Sequence, residues 1–141
     1  MIMQISSRFT IAVHILTCID YFAAEQVITS DFLASSVGVN PVIIRQVIIQ
    51  LKAAGLVEVS RGKTGITLSR RLEDITLYDV YEAVESVKGN LFRFHDNPNP
   101  KCPVGRNIHA ALDGRLVEIQ EVLESKMRSI TMKDISLTEI V

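Results

Sequence analysis

What this chain lacks narrows its function first. Its apolar stretches are short: Arg, His, Asp or Glu interrupts each one before the roughly 18 residues that a membrane span needs, so no membrane partner is expected. Cysteine is scarce. Cys18 and Cys102 are the only two, too few for a disulfide framework, and a reducing cytoplasm is the expected compartment. The opening MIMQISSRFTIAVHILTC has one early Arg, a His within its apolar part and no small-residue cleavage site. It reads as a first core helix rather than a signal peptide. Catalytic patterns are missing as well. The Ser, His and Asp residues form no recognisable constellation, and no glycine loop follows a strand as a phosphate cradle would require, so no enzyme is expected. His95, Cys102 and His109 match no metal spacing, and their loop offers only Asp96 as a carboxylate, so no metal is expected either. Internal repeats and low-complexity segments are absent.

A positive net charge is also missing, at −1 over 141 residues. Its distribution is uneven. From Asn40 to Arg71 the basic residues are Arg45, Lys52, Arg61, Lys63, Arg70 and Arg71 against the single acid Glu58. That segment carries +5 and the remainder −6, which suits a localised patch for phosphates rather than a general polycation. The apolar content of 48% is ample for the core of one domain, with or without an extension.

What is present centres on Asp31 to Ala53, DFLASSVGVNPVIIRQVIIQLKA. Leu33, Ala34 and Val37 cluster on a short helix, Gly38 sits in a turn, and Ile44, Val47, Ile48 and Leu51 recur at helical spacing on a second helix. A helix-turn-helix needs this pattern: a small residue at the crossing, a turn residue tolerant of positive φ, and an apolar one packing back. The remaining face of the second helix carries Asn40, Val42, Arg45, Gln46 and Ile49, a set suited to base edges in a major groove. Pro41 falls in the first turn, where its missing N–H is harmless.

On the N-terminal side, Ser6 or Ser7 caps a helix to about Ala24 with apolar stripes on two sides, Phe9-Ala12-Leu16-Ile19-Ala23 and Ile11-Ile15-Cys18-Phe22. Cys18 and His14 are expected in its core or at an interface. Arg8 lies in its first turn, beside amides that can meet a phosphate. Thr29 or Ser30 caps the next helix, and Gly55 ends the third. Then LVEVSRGKTGITLS reads as a β-hairpin with Arg61 and Lys63 at its tip, a wing able to reach phosphates or a minor groove. Leu72 to Ile75 connects to a helix capped by Thr76.

Residues 89–103 are irregular, with three prolines. A long helix is expected from Val104 to about Ile130, with Ile108, Ala111, Leu112, Leu116, Ile119, Val122, Leu123, Met127 and Ile130 as a coiled-coil-like seam. So long a helix exceeds what a small body can cover and calls for a twin subunit. Thr131 caps a last short helix, Met132 to about Thr138.

The blocks ISSRFTIAVHIL, LASSVGVNPVIIRQVIIQLKAAGLVEVSRGKTGITLSR, ITLYDVYEAVE and CPVGRNIHAAL, in this order, resemble the Rrf-type winged-helix transcriptional regulators, the family of IscR, NsrR and CymR. The likeness covers essentially the whole chain. It implies a homodimeric DNA-binding regulator, commonly a repressor, on a partly palindromic operator. Some members hold an iron–sulphur cluster with three cysteines in the loop before the long helix. Here that loop contains Cys102 alone, so the resemblance is to the cluster-free, CymR- and YwnA-like branch. The wing is also less rich in glycine than is common in the family. Arg45 stands where some members have Glu, which implies a different operator preference.

The expectation is a mainly α protein with a small β-wing: residues 1–75 a winged helix-turn-helix DNA-binding domain, and 76–141 a connector helix, cysteine loop and long dimerisation helix. It is expected to be a cytoplasmic homodimeric repressor that binds double-stranded DNA without a cofactor. Arg8, Asn40, Pro41, Val42, Arg45, Gln46, Arg61 and Lys63 are its expected DNA contacts. Two alternatives stand beside it. One is a winged-helix module that binds a protein or small ligand instead of DNA. The other is a DNA-binding thiol sensor, in which Lys101 and a following helix N-terminus lower the pKa of Cys102. A small effector of unknown chemistry is compatible with either.

Overall fold

A computed structural model describes residues 6–60, 65–85, 91–92 and 94–137. Helix α1 (Ser7–Phe22) is capped by Ser6, whose side chain accepts a hydrogen bond from the Arg8 amide at 3.2 Å. Both of its apolar stripes are used. Ile11, Ala12, Ile15, Leu16, Cys18 and Ile19 are all buried, packed between the helix-turn-helix on one side and a later helix on the other. His14, by contrast, lies exposed, with Nε2 2.9 Å from the Ser36 hydroxyl. Its position on α1 falls beyond the edge of the buried arc, about 40° past Cys18.

Helices α2 (Ser30–Val37) and α3 (Pro41–Ala53) follow Thr29 and Asn40 caps, and the chain bends by 111° between them. Gly38 makes the bend. Its φ of 81° is left-handed, and its N–H donates to the Ala34 carbonyl at 2.8 Å, a helix end that a residue with a Cβ adopts only under strain. Leu33, Ile44, Val47 and Leu51 are fully buried behind the bend. No single described helix is long and apolar enough to cross a membrane.

Strands β1 (Val57–Val59) and β2 (Ile66–Leu68) pair antiparallel, with Val57 opposite Leu68 and Val59 opposite Ile66. Arg61 and Lys63, the expected wing tip, lie outside the described residues. The base of the hairpin is anchored in a way the sequence pattern did not suggest. Ile28, in the link from α1 to α2, bridges Gly65 in parallel, and its carbonyl accepts from the Ile66 amide at 3.0 Å. A Cβ at Gly65 would run into the Ile28 carbonyl and the Val27 side chain.

After a 3-10 turn at Leu72–Asp74, helix α4 (Leu77–Val84) starts with a capping box. The Thr76 hydroxyl accepts from the Asp79 amide, and the Asp79 carboxylate accepts from the Thr76 amide. The long helix α5 runs Pro103–Arg128, starting one residue before and ending two before the expected bounds. The expected last short helix is a 3-10 helix, Met132–Ile135, and the expected end at Thr138 lies outside the described residues. The Leu77 amide donates to the Ile130 carbonyl at 2.9 Å and the Met132 amide to the Ile75 carbonyl at 2.7 Å. These two bonds stitch the C-terminal segment beside α4, and Met132 is fully buried in the same core as Ile75 and Val80. The two parts expected on either side of residue 75 therefore share one core.

Candidate nucleic-acid interface

Helix α3 presents two sharply different faces. Ile44, Val47, Ile48 and Leu51 point inward. Val42, Arg45, Gln46 and Ile49 fall at three- and four-residue spacing on the opposite side, and all four are exposed, Val42 at 51% and Ile49 at 66%. Asn40 caps the helix: its Oδ1 accepts from the Val42 amide at 2.8 Å. Its side-chain NH2 remains as the outward donor. Pro41 occupies the first turn as expected.

The charges around this face are partly paired. Arg45 lies 3.9 Å from the Asp31 carboxylate, with the side chains 57% and 82% exposed. Such an open pair is worth ~0–1 kcal/mol, so a phosphate or base edge can displace Asp31. Arg70 pairs with Asp79 at 3.7 Å, and Arg71 with Glu73 at 2.8 Å and Asp74 at 3.4 Å. Those acids lie outside the +5 segment and offset part of it. Lys52 has no acidic partner among the described residues.

Arg8 reaches this face from α1. Nη1 donates to Oε1 of Gln50 at 2.9 Å and Nη2 to Oε1 of Gln46 at 3.0 Å. Gln50 in turn donates to the Val84 carbonyl at 3.4 Å. Arg8 and Gln46 were both singled out from sequence, but their contact was not, because 38 residues separate them. Gln50 was missed altogether. Its spacing of four residues from Gln46 was the available signal.

Cys102 lies elsewhere, half-buried as the N-cap of α5. The nearby backbone amides of Gly105, then Val104, hold the thiol below its ordinary pKa, against a smaller opposing effect of burial, although the side chain forms no cap hydrogen bond. The expected influence of the helix N-terminus is therefore present. Cys18 is buried within α1, its sulfur 3.2 Å from the Ser36 hydroxyl. His95 and His109 stack with ring centroids 5.0 Å apart, and Nδ1 of His109 meets the Asp113 carboxylate at 2.9 Å. Among the described residues no three His, Cys, Asp or Glu side chains gather into a metal site. With one cysteine in the loop and the other buried in α1, the donor set does not fit a three-cysteine cluster.

Helix α5 carries its apolar residues as one broad stripe, about 140° wide at 100° per residue. Met127 is buried and Leu116 and Leu123 are half-buried, on the side from which α5 contacts α4. Val104, Leu112, Ile119 and Val122 fall within roughly 80° of arc at 100° per residue, and they are 68, 39, 52 and 71% exposed. The expected seam is thus one stripe, covered along its Leu116, Leu123 and Met127 edge and open along the other.

A sequence model of the Rrf2 family, described as an iron-dependent transcriptional regulator, matches residues 5–137. YwnA of Bacillus subtilis (strain 168), by name an HTH-type transcriptional regulator, is 39% identical over 132 residues, covering 94% of this chain and 96% of YwnA. A crystal structure of a protein described as DNA-binding matches with a TM-score of 0.72 and 35% identity, over 92% of this chain and 98% of that one. The structure of CymR, the global cysteine regulator of B. subtilis, shares the fold with a TM-score of 0.71 at 18% identity, over 96% and 97% of the two chains.

Proposed function

Because this chain belongs to the Rrf2 family of transcriptional regulators, we propose that it acts as a homodimeric, cytoplasmic repressor that binds a near-palindromic operator without an iron–sulphur cluster. The observation that carries this reading is the combination of an exposed α3 face and an exposed apolar stripe on α5. The first supplies a reader for one half-site. The second supplies a seam for a twin subunit, which sets two readers about one helical turn of DNA apart. Val42, Arg45 and Gln46 read base edges, and Asn40 and Pro41 bring the N-terminus of α3 against the backbone. Arg61 and Lys63 are assigned to phosphates from their place in the wing sequence. None of this involves an enzymatic step.

Selection of bound fragments from genomic DNA, followed by fluorescence anisotropy on the selected site, tests the reading. A symmetric site bound by a dimer is expected. Equal affinity for every fragment, or binding by a monomer, overturns it.

The position of Cys102 favours a second, additional reading as a thiol sensor. Cys102 is the N-cap residue of α5, so a change at the thiol acts at the start of the helix that would pair the subunits. Operator titrations with and without oxidant, on the native protein and on Cys102→Ser, decide it. Identical curves remove the sensor.

A further inference from the structure

We propose that Arg8 is a positioning residue for base reading, one that turns the amide of Gln46 so that it reads guanine rather than adenine. This rests on the assignment of α3 as the DNA reader. A guanidinium has five N–H donors and no acceptor, so the oxygen of the Gln46 amide must be the end that faces Arg8, and Nη2 holds it at 3.0 Å. Glutamine that reads adenine uses both ends of its amide, accepting from N6 through its oxygen and donating to N7. With Oε1 of Gln46 drawn toward α1, the end left for DNA is the NH2, which has no hydrogen-bond partner among the described residues. Two donors on one nitrogen complement the paired acceptors N7 and O6 on the major-groove edge of guanine.

Arg8 is well placed to do this. It is half-buried, and each terminal nitrogen already donates, Nη1 to Gln50 at 2.9 Å and Nη2 to Gln46. Gln50 is fixed in turn by the Val84 carbonyl at the end of α4. The chain of bonds runs from α4 through α3 to α1 and back to the reading face, so the guanidinium is braced before DNA arrives.

The test selects bound sequences from a randomised pool for the native dimer and for Arg8→Met, Arg8→Lys, Gln46→Ala and the Arg8→Met/Gln46→Ala pair. Salt titrations on the selected sites accompany it. The native protein is expected to choose guanine at one position per half-site. Arg8→Met should lose that preference by roughly tenfold, moving toward adenine, with the other positions and the salt slope unchanged. Arg8→Lys keeps the charge but offers one compact donor group, and should behave the same way if Arg8→Met fails to fold. In the Gln46→Ala background, removing Arg8 should leave the base profile untouched. An unchanged base profile in Arg8→Met and Arg8→Lys, with a salt slope lower by about one per protomer, would make Arg8 a phosphate contact and overturn the proposal. Adenine at that position in the native selection overturns it too. A native protein with no sequence preference overturns the DNA-reading assignment beneath it, which is a different and recognisable result.

Discussion

Ile44 and Arg45 are neighbours on α3, about 100° apart around the helix, and truncating each to alanine should damage different properties. Ile44 has no exposed surface and sits in the main core cluster. Ile44→Ala removes buried methyl groups and leaves a cavity, at about 2–5 kcal/mol. In a chain of this length each kcal/mol lowers Tm by roughly 3–4 °C, so the expected fall is about 6–20 °C. Against a total stability of about 5–15 kcal/mol the variant is compromised but can still fold. Arg45 is 57% exposed, and its one ionic partner among the described residues, Asp31, is 82% exposed at 3.9 Å. Arg45→Ala should therefore shift stability by no more than about 0.5 kcal/mol. If Arg45 reads a base bidentately, the same change reduces discrimination at that base pair by about 1–3 kcal/mol, or roughly 5- to 150-fold. Urea unfolding followed by circular dichroism, at one fixed protein concentration because dimerisation couples to stability, gives the first quantity. Anisotropy on the selected operator and on single-base variants gives the second. The reasoning is refuted if Ile44→Ala costs under 0.5 kcal/mol, or if Arg45→Ala is the variant that unfolds. Either result would mean that α3 is rotated relative to the core and shows DNA a different face.

Other outcomes follow from the same geometry. Ile119→Glu with Val122→Glu places charges on the open seam of α5 and should yield monomers in sedimentation, with the unfolding of isolated subunits little changed; a persistent dimer would put the interface elsewhere. Arg61→Ala with Lys63→Ala should weaken binding to all sequences alike and flatten the salt slope by about two per protomer; unchanged curves at every salt concentration remove the wing from the interface. Alkylation of Cys102 should rise at lower pH than for a free thiol, because the α5 amides favour its thiolate. Cys18, buried in α1, should react only on unfolding; a Cys102 profile matching free cysteine would refute the effect of the helix end.

Much of this fold was legible because its signals are local. The caps at Ser6, Thr29 and Thr76 are side chains bonding to amides two or three residues on, so residue type at a helix start placed them to within one residue; the cap role of Asn40 was not read from the sequence. The inward face of α3 follows from a period of 3.6 residues. The chain after Thr131 was less readable. Met132 to Ile135 folds as a 3-10 turn anchored by the Met132 amide on the Ile75 carbonyl, a partner more than fifty residues away in the chain. The link from Ile28 to Gly65 was invisible for the same reason, since no spacing rule connects a helix linker to the far strand of a wing.

The sequence by itself therefore determined the elements, their caps, the helix-turn-helix and the family, since each depends on residue type over a few positions. Tertiary structure alone decided which edge of the apolar seam of α5 is covered, which cations of the basic segment are already paired, and that Arg8 grips Gln46 and Gln50. Those outcomes depend on side chains distant in sequence meeting within about 4 Å, and pairwise chemistry at that range follows from how the helices pack.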